Sequence, residues 1–250
     1  MFDGNDARTE SVTDLSAFSS AVDLGQSAVE RVTSPPDDLV HAFNANQMAS
    51  KVWLLDRVYQ TFGGRFGTVY VLGGWYGALG ALLLYDSRYH VDMVLNIDID
   101  PACAGVAERV NAEATARGRF IAVTADAATI DYRRPGALGH VNGTNGTNGT
   151  NGTNGTNGTN GANGHANGAL PDLVINTSCE HMVDTAAWFD RIPRGFPLAL
   201  QSNDYFDCAE HVNCVADLAT LRAQVPMSEV LYEGTLARRR YSRFMLIGRR

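Results

Sequence analysis

Val69-Tyr70-Val71-Leu72-Gly73-Gly74-Trp75-Tyr76-Gly77-Ala78-Leu79-Gly80 is the stretch whose reading decides the fold. An unbroken apolar run enters it, and four glycines follow within eight positions, with a Trp-Tyr pair set between them. Glycine clustered in this way serves dihedrals closed to other residues, or lets a second group come close to the backbone. The run therefore reads as a buried strand that ends at a turn facing a ligand.

Outward from that turn, strand-like and helix-like stretches alternate. Phe66 to Leu72, Val91 to Ile97, Phe120 to Thr124, Leu170 to Asn176 and Phe196 to Gln201 read as strands. Ala78 to Tyr85, Pro101 to Ala116 and Asp184 to Asp190 read as helices, the second with proline at its start. Such alternation predicts a mostly parallel sheet with helices on both faces. Val230 to Leu236 and Tyr241 to Ile247 are two further strand-like runs joined by the short basic Arg238-Arg239-Arg240, so a closing antiparallel hairpin is expected. Upstream, Ser34 to Asp38 reads as a turn feeding a helix. Asn44 to Gln60 places Met48, Val52, Leu55 and Val58 at helical spacing and is expected to form a lid. The fold class is thus α/β, with residues 1–64 as leader and helical lid and 65–250 as the main domain.

Between the third and fourth strands, Asn142 to Gly168 carries six Asn-Gly-Thr triplets followed by degenerate copies. With almost nothing to bury and a large conformational entropy to lose, it is expected to be a disordered insertion without chemistry.

The totals exclude some functions. At 250 residues, 45% hydrophobic and 19% charged, the chain suits a globular protein with one sizeable core. A net charge of -7 argues against nucleic acid as a partner, since phosphate binding needs clustered Lys and Arg. No apolar run approaches the roughly twenty residues of a membrane span. The acidic first residues lack the form of a secretory signal, so a cytoplasmic protein is expected. Cys103, Cys179, Cys208 and Cys214 form no CxxC pair and read as free thiols; Cys179-Glu180-His181 and the run Cys208 to Cys214 place thiols and imidazoles close together, as a zinc site would, but at no standard ligand spacing, so no metal is expected. A homo-oligomer is compatible with all of this.

In an open parallel sheet, ligands settle beyond the carboxyl ends of the strands where the strand order reverses. Four segments end there: Gly73 to Gly77; Asn96-Ile97-Asp98-Ile99; Thr124-Ala125-Asp126-Ala127; and Asn176-Thr177-Ser178-Cys179-Glu180-His181. Asp98 stands about twenty residues past the glycine turn, the place of a carboxylate that accepts from ribose hydroxyls. Asp126 is suited to accept from an exocyclic adenine amine. Among titratable groups near the fourth strand, His181 is the first candidate base and His211 the second.

In this order, the motifs resemble the class I S-adenosylmethionine-dependent methyltransferase family from about Thr68 to Gly248. GGWYG stands where the family has its glycine-rich motif, Asp98 its ribose acid, Asp126 its adenine-side acid, and PDLVINTS the strand bordering the transferred group. The resemblance implies a seven-stranded Rossmann-like sheet. It also implies S-adenosylmethionine held by Gly73, Gly74, Trp75, Tyr76, Gly77, Asp98, Ile99, Asp126, Ala127, Asn176 and Ser178. Trp75 and Tyr76, with Trp53, Tyr205 and Phe206 as further candidates, are placed to offer aromatic faces to the sulfonium, against the plainer reading of core packing.

More narrowly, GGWYG with INTSCEHM, QSNDYF and YSRFMLIG resembles a group that includes the azetidine-2-carboxylate synthases. Those enzymes close a four-membered ring within the methionyl moiety and release methylthioadenosine. Such a reaction asks for a polar wall, which Asn176, Ser202, Asn203 and Tyr205 are placed to supply, with His181 as the candidate base; Lys51 reads as a solvated helix face ahead of a contact with the substrate carboxylate. A small-molecule methyltransferase and a non-catalytic binding module remain the alternatives.

Overall fold

The computed structural model describes residues 9–10, 15–30, 32, 35–133 and 170–250, so the Asn-Gly-Thr repeat lies outside the described residues. In chain order the elements begin with β1 (Thr9–Glu10), α1 (Leu15–Glu30), α2 (Leu39–Ala42), α3 (Ala45–Phe62), β2 (Arg65–Leu72) and α4 (Ala78–Tyr85). Then come β3 (His90–Asp98), α5 (Pro101–Val110), α6 (Ala112–Ala116), β4 (Phe120–Thr124), β5 (Leu173–Asn176) and α7 (Thr185–Arg191). The chain closes with β6 (Pro197–Asn203), α8 (Leu218–Gln224), β7 (Glu229–Ala237) and β8 (Ser242–Arg249).

The strands form one sheet in the order β1-β7-β8-β6-β5-β2-β3-β4. β2 lies between β3 and β5, both parallel to it, and the chain progresses outward through β3 and β4 on one side before resuming at β5 on the other. β8 is antiparallel to both β6 and β7, giving the closing hairpin. The seven expected strands are joined at the edge by β1, two residues parallel to β7.

Strand alternation sorts the core into two layers. Val69 and Val71 of β2 face α3 and α4, packing with Val52, Leu55 and Leu79. Tyr70 and Leu72 face the other way, among Trp188, Leu200 and Leu246. A strand apolar on both faces is what a central parallel strand needs, which is why this run was legible as one.

Several boundaries differ from expectation. The helix read over Pro101 to Ala116 breaks at buried Asn111, whose Nδ2 donates to Ala107 O at 2.9 Å and to Gly77 O at 3.2 Å. The strand expected from Leu170 begins only at Leu173, because Asp172 turns its carboxylate onto the N–H groups of Gly67 and Thr68, at 2.6 and 2.9 Å. α1 and α8 were not anticipated; the second is a short helix opened by the side chain of Asp217 on Thr220 N. α3 starts one residue after its cap Asn44, whose side chain accepts from Asn46 N and Gln47 N. Most of its length is core, with Met48, Val52, Trp53, Leu55 and Val58 buried, and only its first turns overhang the sheet's carboxyl edge.

Candidate active site

The turn after β2 is built from left-handed backbone: φ is 59° at Gly73, 45° at Trp75 and 76° at Gly77. A tryptophan rarely adopts such a value. Here both of its peptide groups are held by the end of β3. Trp75 N–H donates to Asp98 Oδ2 at 2.7 Å, and Trp75 O accepts from Asn96 Nδ2 at 3.2 Å. The glycines make room for the protein itself. A Cβ at Gly73 would stand 2.6 Å from the Ser178 side chain, one at Gly74 would overlap the Asn96 amide, and one at Gly77 would meet Asn111 Nδ2 at 2.6 Å. The glycines thus let the turn lock against the end of β3, the segment after β5 and the C-cap of α5. Gly73 and Gly74 still border the cavity, whereas Gly77 lies behind them.

That cavity, about 990 Å³, opens over the carboxyl ends of the strands at the β2–β5 junction, where the strand order reverses. Asp98 sits on its wall, with Oδ1 accepting from Asp100 N at 3.0 Å, so each of its oxygens is oriented by one backbone N–H and keeps a lone pair for another donor. Asp126 and Ala127 line it after β4, where Asp126 Oδ1 accepts from Ala128 N at 2.8 Å. Ile99, 68% exposed, and Val183, 89% exposed, are large apolar groups on the same wall. Exposed apolar side chains around a cavity with a few fixed acceptors suit a ligand with a flat, partly apolar part.

The two aromatics of the turn differ in use. Tyr76 is only 6% exposed, packs with Leu39, Val106 and Val110, and donates its hydroxyl to Asp38 Oδ1 at 2.8 Å; burial holds its phenol up to about 12. Trp75 is half-buried and stacks on it at 4.9 Å. Trp53 lies in the core beside Gly234, while Ser202 is buried away from the cavity wall and Phe206 is exposed off it. Those three expectations are withdrawn.

The other end of the cavity is polar. Asn176 closes β5, its Oδ1 accepting from Ser178 N at 2.9 Å and its Nδ2 3.0 Å from Met182 Sδ. Asn203 closes β6, its Oδ1 accepting from Tyr205 N at 2.9 Å and its Nδ2 donating to Glu180 Oε1 at 2.6 Å. His181, Tyr205 and His211 all line the cavity and meet as rings. The two imidazoles stand edge to face at 4.6 Å, with Tyr205 5.8 Å from His211.

Sequence reasoning missed the ionic centre of this end. Glu180 and Arg243 are both buried and pair at 3.1 Å, and Arg243 also donates to Thr177 O at 3.0 Å. Lys51, from the first turns of α3, lines the same space and donates to Gln47 Oε1 at 2.7 Å. Burial foremost, then the Arg243 charge, lowers its pKa to about 7 against a smaller opposing pull from Glu180. The solvated-face reading of Lys51 is thus corrected. One signal was available: Arg243 is a lone cation inside the apolar strand SRFMLIG, where a charge is tolerated only if paired.

Neither a protein-family model nor a curated relative matches the sequence. Solved structures do match by shape. The N-methyltransferase NodS from Bradyrhizobium japonicum WM9, in complex with S-adenosyl-L-homocysteine, superposes with a TM-score of 0.55 at 13% identity, covering 90% of this chain and 98% of that one. The cyclase SpnF superposes with a TM-score of 0.53 at 12% identity, covering 82% of each chain. The fold is the Rossmann-like class I methyltransferase fold. Within the class I methyltransferase fold, the cavity lies at the position where an open parallel sheet takes its ligand.

Proposed function

We propose that this protein consumes S-adenosylmethionine, and that it does so by closing a ring within the methionyl moiety. The observation that carries the first part is the Asp98 carboxylate, fixed by Trp75 N–H and Asp100 N–H at the strand-order reversal beside a rigid glycine turn. Asp98 would accept from the ribose hydroxyls, Asp126 from the adenine amine, and Ile99 would cover the base. Trp75 offers the aromatic face for a sulfonium, an attraction of about 0.5 to 2 kcal/mol. Titration calorimetry with S-adenosylmethionine and S-adenosylhomocysteine tests this: one site is expected, with Asp98→Asn weakening both ligands about 10- to 100-fold through loss of a charge-assisted acceptor. Equal affinity in the variant would remove Asp98 from the site.

The ligand supplies a sulfonium whose γ-carbon is open to displacement. Ring closure asks the protein to bend the tail, exclude water and take a proton from the amine. The ammonium becomes a neutral amine, its nitrogen bonds to the γ-carbon, the carbon–sulfur bond breaks, and methylthioadenosine leaves beside azetidine-2-carboxylate and one released proton. Lys51, lowered to about 7, is a proton acceptor at this end of the cavity. Asn176, Asn203 and Tyr205 supply the polar wall, and His181 is the second base within the same space. The resemblance of GGWYG, INTSCEHM and QSNDYF to the azetidine-2-carboxylate synthases supports this reading. The fold leaves the reaction open, since one neighbour of the same shape is described as a cyclase.

A second reading, methyl transfer to a small molecule, is favoured by the cavity volume of about 990 Å³, at the top of the range for a single small ligand. It predicts S-adenosylhomocysteine formed only with an acceptor present.

A further inference from the structure

Beside the turn and its acids, the cavity wall holds a set of donors brought together from two separate segments. One is the short turn Cys179–His181 after β5, the other the connection between β6 and α8. Glu180, His181 and His211 each offer one ligand atom, and the three atoms lie within 4.8 Å of one another. The hydrogen bonds of the two imidazoles fix their tautomers. His181 Nδ1 is 3.1 Å from Glu210 O, and His211 Nδ1 is 2.9 Å from Tyr205 O. A carbonyl oxygen only accepts, so Nδ1 carries the proton in both rings and Nε2 carries the lone pair. Metal-ligating imidazoles are oriented in this manner, by donating the other ring N–H to a carbonyl.

Glu180 supplies an independent observation. Its Oε1 accepts from Asn203 Nδ2 at 2.6 Å and from Arg243 at 3.1 Å. Its Oε2 is buried with no hydrogen-bond partner among the described residues, although the residue is only 2% exposed and lines the cavity. A buried carboxylate oxygen left without a partner is costly, and a cation at that oxygen removes the cost.

We infer that Glu180 Oε2, with Nε2 of His181 and His211, forms a binding site for one divalent late first-row cation such as Zn²⁺. Two neutral imidazoles and one carboxylate suit zinc and its neighbours. Three protein ligands leave a coordination position open, and because all three residues line the cavity, an oxygen or nitrogen donor of a small molecule takes it. Ligands about 2.0 to 2.2 Å from an ion lie at most about 4.4 Å apart, and His181, exposed on its turn, is the member with room to adjust to that spacing. The site goes beyond the proposed reaction; with the cation bound the His181 lone pair is taken, and Lys51 is left as the proton acceptor in the cavity.

The test uses the full chain without an affinity tag and the metal alone. Titration with Co²⁺, followed by its visible absorption and then by displacement with Zn²⁺, should show one equivalent bound. His181→Ala and His211→Ala should each weaken Zn²⁺ binding at least about tenfold by calorimetry. His90→Ala, an exposed histidine at the start of β3, should leave it unchanged. Equal melting temperatures for the parent and His181→Ala would separate loss of a ligand from loss of fold. No stoichiometric binding, or binding that survives both cavity variants, would overturn the inference.

Discussion

At the scale of single residues, Lys51 carries the clearest pH signature. Its pKa falls from 10.5 to about 7 on folding, so between those values the unfolded chain holds a proton that the folded chain has given up. Stability at this position therefore rises with pH through that window, and the full cost is present below about 7. Lys51→Met removes the dependence. Its stability relative to the parent is expected to be greatest near pH 6 and to shrink by on the order of 3 kcal/mol by pH 10, read from denaturant melts at several pH values. Gly74 makes a second expectation. Its added methyl would overlap the Asn96 amide, which is buried and holds Trp75 O, so Gly74→Ala should cost about 1 to 3 kcal/mol and weaken ligand binding together. The sequence marked a special turn at Gly73 to Gly77 but not the protein groups that pack against it. Ser178, Asn96 and Asn111 come from three other segments, and contact over such separations leaves no local trace.

At the scale of elements, β8 does more than close the hairpin, because it brings Arg243 across β6 to Glu180. With side chains 8% and 2% exposed, removing one partner leaves a buried charge uncompensated. Arg243→Met should cost about 3 to 5 kcal/mol in chemical denaturation, and the double variant Glu180→Gln/Arg243→Met should recover most of that loss. If the two single losses simply add, the pair does not act as one unit. Elements with period-two or fully apolar patterns were legible: β4 and α4 have the expected limits, β2 differs by one residue at its start, and β3 by one residue at each end. α1 and α8 were not read, although α1 is at least as amphipathic as α3. α3 shows the same division. Its helical spacing was plain, while the burial of most of its length and the turning of Lys51 into the cavity follow from how it lies across the sheet.

At the scale of the whole molecule, the order glycine turn, Asp98, Asp126, polar fourth strand was enough to place the cavity, because a doubly wound sheet assembles its strand ends at one edge. What that edge does chemically was less legible, since the ionic centre joins residues 51, 180 and 243. The repeat should be dispensable. Replacing Asn142 to Gly168 by a short Gly-Ser linker should leave ligand affinity and turnover within about twofold of the parent, because the segment offers almost no apolar side chain to a core. A loss of binding would give the repeat a part in the site. The measurement that tests the account most directly is incubation of the purified chain with S-adenosylmethionine alone, with products identified by mass spectrometry. Methylthioadenosine and azetidine-2-carboxylate in equal amounts are the predicted result; S-adenosylmethionine recovered intact, or converted to S-adenosylhomocysteine, would contradict ring closure.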